Sequence, residues 1–190
     1  MPFYANLSTD PKRSFRFLFF IGGTAGGNTL QPYTVKQVKK PTFQLEGGPQ
    51  IKFIQHAFKY PGRVIWQDVT LTVVDPGGSE DAGAALMNAL ATSGYAYPRT
   101  ANDNFTKQSI SKFKANKGIG KPRIQQIDDD GYKIDEWTLN NAFISQVDFG
   151  EVNYESDDIV NISLTIMYDW ATYRTFQTAK PVNINVATPS

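Results

Sequence analysis

At 190 residues the chain fits one domain, and a domain of that size buries roughly 70% of the surface its unfolded form exposes. There is no cysteine, which excludes a disulfide framework, thiolate zinc sites and a cysteine nucleophile. Net charge is only +1, yet residues 1 to 63 carry nine Lys or Arg against Asp10 and Glu46, while 128 to 158 carry ten acids against Lys133. Such poles permit head-to-tail contact between copies, while the plainer reading is neutralisation within one monomer.

The longest wholly apolar run, Phe17 to Ile21, is far short of the ~20 residues that cross a bilayer. The start, MPFYANLSTD, lacks the basic and apolar segments of a signal peptide, so a soluble, unexported protein is expected. From Ser14 to Ile21 the aromatic-rich alternation of Phe15, Phe17, Phe19 and Ile21 predicts a strand. Gly22 to Thr29 reads as a glycine-rich loop, and a second strand is expected from Tyr33 to Val38. Phe43 to Leu45 and Ile51 to Phe58 predict a strand pair, or one strand bulged around Gly47, Gly48 and Pro49, with a turn at Pro61 and Gly62. Val64 to Val74 alternates as a strand with one buried face.

Ser79 as N-cap, Glu80 and Asp81 at the positive end of the dipole, and Ala82, Leu86, Ala89 and Leu90 at helical spacing predict one helix over about 79–93. Residues 95–122 read as a long basic loop, with Lys107, Lys112, Lys114, Lys117 and Lys121 opposed only by Asp103. Arg123 to Asp128 and Tyr132 to Trp137 flank an Asp-Gly hairpin signal. Trp137, Leu139, Phe143, Val147 and Phe149 fall on one face of a long strand, and Val160, Ile162, Leu164, Ile166 and Tyr168 on one face of the next. The tail from Thr172 is polar, with a short edge strand expected at Val182, Ile184 and Val186. No repeat or linker interrupts a single domain, 1–190, whose long loops lie at about 22–29 and 95–122.

The chemical motifs are incomplete. Gly22 to Thr29 has the glycine spacing of a phosphate loop, but Asn28 stands where the lysine is needed. His56 is the only histidine, no serine elbow accompanies it, and a packed or hydrogen-bonded strand histidine is expected. Asp128, Asp129 and Asp130 lack the rest of a calcium loop and read as a solvated hairpin tip. Phe15, Phe17, Phe19, Trp66 and Trp137 are expected in the core. The lysines between 107 and 121, with Phe105 and Phe113, suit nucleic acid or an acidic protein neighbour. The expectation is a non-enzymatic protein with no cofactor and no metal.

Three blocks resemble the tail-tube proteins of contractile-tailed, myovirus-type bacteriophages: RSFRFLFFI from Arg13, FKYPGRVIWQDVTLTVVDP from Phe58, and WTLNNAFISQVDFGEVNYESDDIVNISLTIMYDWA from Trp137. Trp137, Phe149, Gly150, Asp157, Asp158, Tyr168, Asp169 and Trp170 carry the last and most specific match. The resemblance implies a mainly β fold, an antiparallel β-sandwich or partly closed barrel flanked by one α-helix. It further implies hexameric rings stacked into an inner tail tube. The implied partners are the chain itself, the tail sheath protein, the tape-measure protein, baseplate and tail-terminator proteins, and double-stranded DNA in transit. The place implied is the virion tail, assembled in host cytoplasm, without membrane insertion.

DNA must slide without sticking, so a channel lining is expected to be polar and neutral to acidic. The polar strand positions Asp68, Thr70, Thr72, Asn140, Gln146, Asp148, Asn161, Ser163 and Thr165 are the lumen candidates. Gly22, Gly23, Gly26, Gly27, Lys107, Lys112, Lys114, Lys117 and Lys121 are the ring-stacking candidates. The alternatives are the tube of a type VI secretion system or extracellular injection particle, and a monomeric ligand-binding β-barrel.

Overall fold

The computed structural model describes residues 11–21, 34–78, 81–96, 109–155 and 157–176. The Gly22 to Thr29 loop, Ser79, Glu80, Lys107 and the strand expected around Ile184 lie outside them. In chain order the elements are β1 (Phe17–Phe20), β2 (Val35–Val38), β3 (Thr42–Phe53), β4 (His56–Gln67), β5 (Val69–Val74), α1 (Ala82–Thr92), α2 (Lys112–Ile119), β6 (Arg123–Ile127), β7 (Lys133–Asn140), β8 (Phe143–Asp148), β9 (Asn161–Met167) and β10 (Trp170–Thr175). Among the described residues, antiparallel pairing orders one sheet β1-β6-β7-β10 and a second β2-β5-β9-β8, while β3 and β4 pair only with each other.

The four-stranded sheets share one core, as a sandwich does, and no barrel closes among the described residues. Alternation explains which side chains enter it: Val69, Leu71 and Val73 of β5 and Ile162, Leu164 and Ile166 of β9 are all 2% exposed or less. Phe19, Ile124 and Leu139 join them from the other sheet, and Leu86 and Ile119 from the helices.

Helix α1 begins later than expected. Its N-cap is Asp81, which accepts from the Ala84 amide at 2.8 Å, and Asp75 takes the Ala82 amide at 3.1 Å. The basic loop expected over 95–122 contains a second helix, α2, capped by Ser111. Its apolar signal is short because only Ala115 and Ile119 are buried, and its lysines conceal a helical stripe. At Gly118 an added Cβ would lie 2.7 Å from the Ala89 carbonyl oxygen, so glycine permits the close approach of α1 and α2.

The hairpin signal at 128–131 holds, but as a three-residue loop: Asp128 and Tyr132 bond across it and Gly131 alone takes positive φ, 83°. The long strand expected from Trp137 to Phe149 is two strands in different sheets. At Asn141, φ 55°, the chain leaves the first sheet for the second, and it returns at Asp169 between β9 and β10. Asp169 accepts from Asn141 at 2.8 Å and from Lys112 at 2.7 Å, so one carboxylate ties both crossovers to α2. The Lys112 hydrogen bond, then that of Asn141, holds its carboxyl below the usual range. Strand β10 was missed in a tail read as polar, since WATYRT acquires its strand character from pairing with β7.

Candidate functional site

Among the described residues the most exposed element is the β3–β4 hairpin. Val64 to Val74 is not one strand: Val64 and Ile65 lie in the closing stretch of β4, which ends at Gln67, and are 52% and 42% exposed, and only after Asp68 does the buried alternation of β5 begin. Ile51 to Phe58 spans the end of β3, a turn at Ile54 and Gln55, and the start of β4. Pro61 and Gly62 do not turn the chain; they sit within β4, opposite the irregular pairing around Gly47. There an added Cβ on Gly48 would stand 2.4 Å from the Tyr60 carbonyl oxygen, so the two backbones touch where side chains would separate them.

Both faces of this hairpin are open. Phe43, Leu45, Ile51, Phe53, Ile54 and Phe58 are each more than half exposed, Ile54 at 88%. His56 begins β4 and is exposed rather than packed, and Phe15 is likewise outside the core at 73%. Lys52, Lys59 and Arg63 give the hairpin positive charge against Glu46. A projecting apolar ribbon of this kind marks an interaction surface.

The base of the hairpin is fastened to the core through Tyr168. Its hydroxyl donates to the Gln67 carbonyl at 2.9 Å, and its ring lies 6.0 Å from Trp66, itself edge-on to Phe43 at 5.4 Å. Burial, then the Asp68 carboxylate, pushes the phenol up to about 12.

The register of the second sheet assembles most of the predicted lumen set. Thr70, Thr165 and Gln146 form one cross-strand row and Thr72, Ser163 and Asp148 the next, with Asn161 beyond them opposite Val74. These side chains lie on the face opposite the core positions. Asp68 is exposed between β4 and β5, whereas Asn140 lies in the other sheet, opposite Trp170. Of the stacking set, Lys112, Lys114 and Lys117 ride on α2, Lys121 follows it, and the glycines and Lys107 lie outside the described residues.

The first sheet has its own charged cluster. Asp135, 2% exposed, accepts from Lys12, and Tyr173 donates to it at 3.3 Å; the Asp135 bond raises the Lys12 ammonium above its usual range. Burial opposes ionisation of Glu136, but hydrogen bonds from Lys133 and Gln125 lower its carboxyl below the usual range. Among the described residues no three His, Cys, Asp or Glu side chains gather as a metal site, and no helix is long and apolar enough to cross a membrane.

A groove of about 560 Å³ opens between α1, α2 and β8, lined by apolar side chains including Met87, Leu90, Ile110, Phe143 and Phe149. Sequence alternation missed it because its walls come from three elements far apart in the chain.

By sequence the chain matches no protein-family profile and no curated protein. Its fold, however, is that of contractile-system tube assemblies. The structure of a PVC extracellular contractile injection system sheath/tube terminator in its extended state matches 88% of this chain and 99% of the other, at 15% identity and TM-score 0.60. The anti-feeding prophage tube-terminating cap matches 93% and 100%, at 17% identity and TM-score 0.59. The PVC sheath-tube complex matches 87% and 93%, at 18% identity and TM-score 0.56. The tail-tube-like fold expected from the three sequence blocks is the fold observed.

Proposed function

We propose that this chain is a non-enzymatic structural subunit that closes into rings and stacks them as the inner tube of a contractile phage tail. The observation that carries this reading is the β3–β4 hairpin, a long ribbon with unburied apolar side chains on both faces, which a monomer leaves in water. Among the described residues β1, β10, β2 and β8 are the edge strands of their sheets and add further pairing surfaces. A heterologous contact whose rotation closes makes a ring, and stacked rings make a tube. Rings of six are in keeping with the anti-feeding prophage baseplate, a six-fold symmetrised assembly that matches 88% of this chain at TM-score 0.57.

In this reading the rows of Thr70, Thr72, Gln146, Asp148, Asn161, Ser163 and Thr165 line the channel, where they offer a sliding DNA no phosphate-binding cation. Asp68 and Asn140 stand at its margin. The ring-stacking role falls to Gly22, Gly23, Gly26 and Gly27 and to the lysines from 107 to 121. The sheath, baseplate, terminator and tape-measure proteins are the partners, and the virion tail, built in host cytoplasm, is the location.

A second reading, the tube of an extracellular injection particle, is favoured by the matches to anti-feeding prophage and PVC assemblies. Negative-stain microscopy of the purified protein, with light scattering over a concentration series, tests the shared part: hollow rings or tubes are expected. A strict monomer at every concentration refutes self-assembly. Intact particles purified from the native source separate the two readings, since a phage tail ends on a DNA-filled capsid and an injection particle does not.

A further inference from the structure

The sheet β2-β5-β9-β8 has two unlike ends. Strand β5 runs from Val69 to Val74; Ile166 of β9 stands opposite Val69 and Asn161 opposite Val74, and Asp148 of β8 pairs with Ser163 of β9. The β3–β4 hairpin leaves at the Val69 end, because the Lys39 amide donates to the Thr70 carbonyl just before β3, and Gln67 closes β4 just before β5. Residues 149–160, which join β8 to β9, lie at the Val74 end, about 20 Å away along six residues of strand. We propose that the hairpin tip of one copy docks on the 149–160 segment of a second copy, so that copies join end to end along the strand direction. This contact rests on the self-assembly reading and names its two surfaces.

The tip is amphipathic. Its register pairs Ile51 with Phe58 and Phe53 with His56 on one face, and Lys52 with Ala57 and Gln50 with Lys59 on the other. All of these side chains are exposed. An apolar face backed by a basic one calls for a surface that is apolar and acidic together.

The Val74 end is such a surface. Val152, Tyr154 and Ile159 stand in solvent, interleaved with the exposed Glu151, Glu155, Asp157 and Asp158, and Asp148 ends β8 just before them. Geometry fixes two further carboxylates there. The Asp75 amide donates to the Val160 carbonyl at 3.2 Å. A Cβ on Gly83 would meet the Asp81 carboxylate at 3.2 Å and the Phe149 ring at 3.8 Å, so Asp81, the N-cap of α1, adjoins the start of the segment. Two α2 lysines are held elsewhere: Lys112 reaches Asp169, beyond the Ile166 end of β9, and the Lys114 side chain lies against Gly94, past the C-terminal end of α1.

The occupant is a second copy because the two surfaces stand at opposite ends of the same strands and are both exposed within one chain. Complementary charge also sets the polarity of the join, since two basic tips repel and a basic tip attracts an acidic end. The contact joins different patches of identical molecules, so it repeats from copy to copy, as stacking requires.

The absence of native cysteine makes the test direct. An Ile54→Cys protein is mixed with an affinity-tagged Tyr154→Cys protein, assembled and mildly oxidised, with Ile54→Cys plus tagged Ser163→Cys, on the polar sheet face, as the control pair. Mixed disulfide-linked dimers from the first pair are expected at least tenfold above the control. Lys52→Glu with Lys59→Glu in the Ile54→Cys chain should cut that yield at least tenfold, and Glu151→Lys with Glu155→Lys in the Tyr154→Cys chain should then restore it. Rings or tubes without the selective cross-link, or a cross-link indifferent to both charge reversals, overturn the end-to-end contact and leave self-assembly standing. A wild-type chain that stays monomeric, with no cross-link between the cysteine variants, overturns both.

Discussion

Removing the Tyr168 hydroxyl tests whether that side chain fastens the hairpin to the core. Tyr168→Phe keeps the ring against Trp66 and deletes the hydroxyl's bonds to the Gln67 carbonyl and the Thr42 backbone, so a loss of about 1 kcal/mol is expected near neutral pH. The pH dependence adds a sharper signature. The folded phenol titrates at about 12 against an ordinary value of 10.0, so below the lower value it is neutral in both states and its contribution is complete. Between the two values the unfolded chain loses its proton and the folded chain does not, and stability falls as pH rises. Two units correspond to at most ~2.7 kcal/mol, and partial solvent screening reduces this to about 1 kcal/mol. Urea unfolding followed by tryptophan fluorescence at about pH 8 and about pH 11.5 measures the gap between wild type and variant. The gap should be about 1 kcal/mol at the lower pH and close to zero or reversed at the higher one. A gap that does not change with pH refutes the buried-phenol argument, and no gap at the lower pH refutes the fastening role.

Three further outcomes follow from the geometry. Gly48→Ala places a methyl 2.4 Å from the Tyr60 carbonyl oxygen and should part β3 from β4 locally: hydrogen exchange of residues 42–67 accelerates at least tenfold while the sandwich melts nearly as before, because its core lies elsewhere. Gly118→Ala pushes α2 from the Ala89 carbonyl and should cost about 1 to 3 kcal/mol, read as a shifted denaturant midpoint with an unchanged slope. Lysine at Thr70, Ser163 and Thr165 together should leave rings intact but slow DNA delivery, since each cation adds a phosphate contact; unchanged infectivity would remove that face from the channel.

Much of the strand inventory was legible in the chain because a half-buried strand must alternate. Ile162, Leu164 and Ile166, and Val69, Leu71 and Val73, announce their buried face in the sequence, and α1 shows its apolar spacing likewise. The polar partners Ser163, Thr165, Thr70 and Thr72 follow from the same period, which is why most lumen candidates fall on one sheet face. Alternation does not say which sheet a strand joins. Asn140 and Gln146 read as one face of one strand until the left-handed turn at Asn141 moved the chain to the other sheet.

Local pattern is equally blind to which apolar face finds a core. Phe43, Leu45, Ile51, Phe53 and Phe58 have the composition of buried strands, yet their hairpin pairs with no other described strand and stands in solvent. Burial depends on what the rest of the chain brings alongside, and nothing within 42–67 encodes that. The groove between α1, α2 and β8 and the Lys112, Asn141 and Asp169 junction are of the same kind, built from residues distant in sequence. The sequence by itself determined a mainly β domain with one clear helix and a polar-faced sheet. Only the tertiary structure decided which apolar surfaces remain open to another molecule, because exposure is a property of packing and not of any one segment.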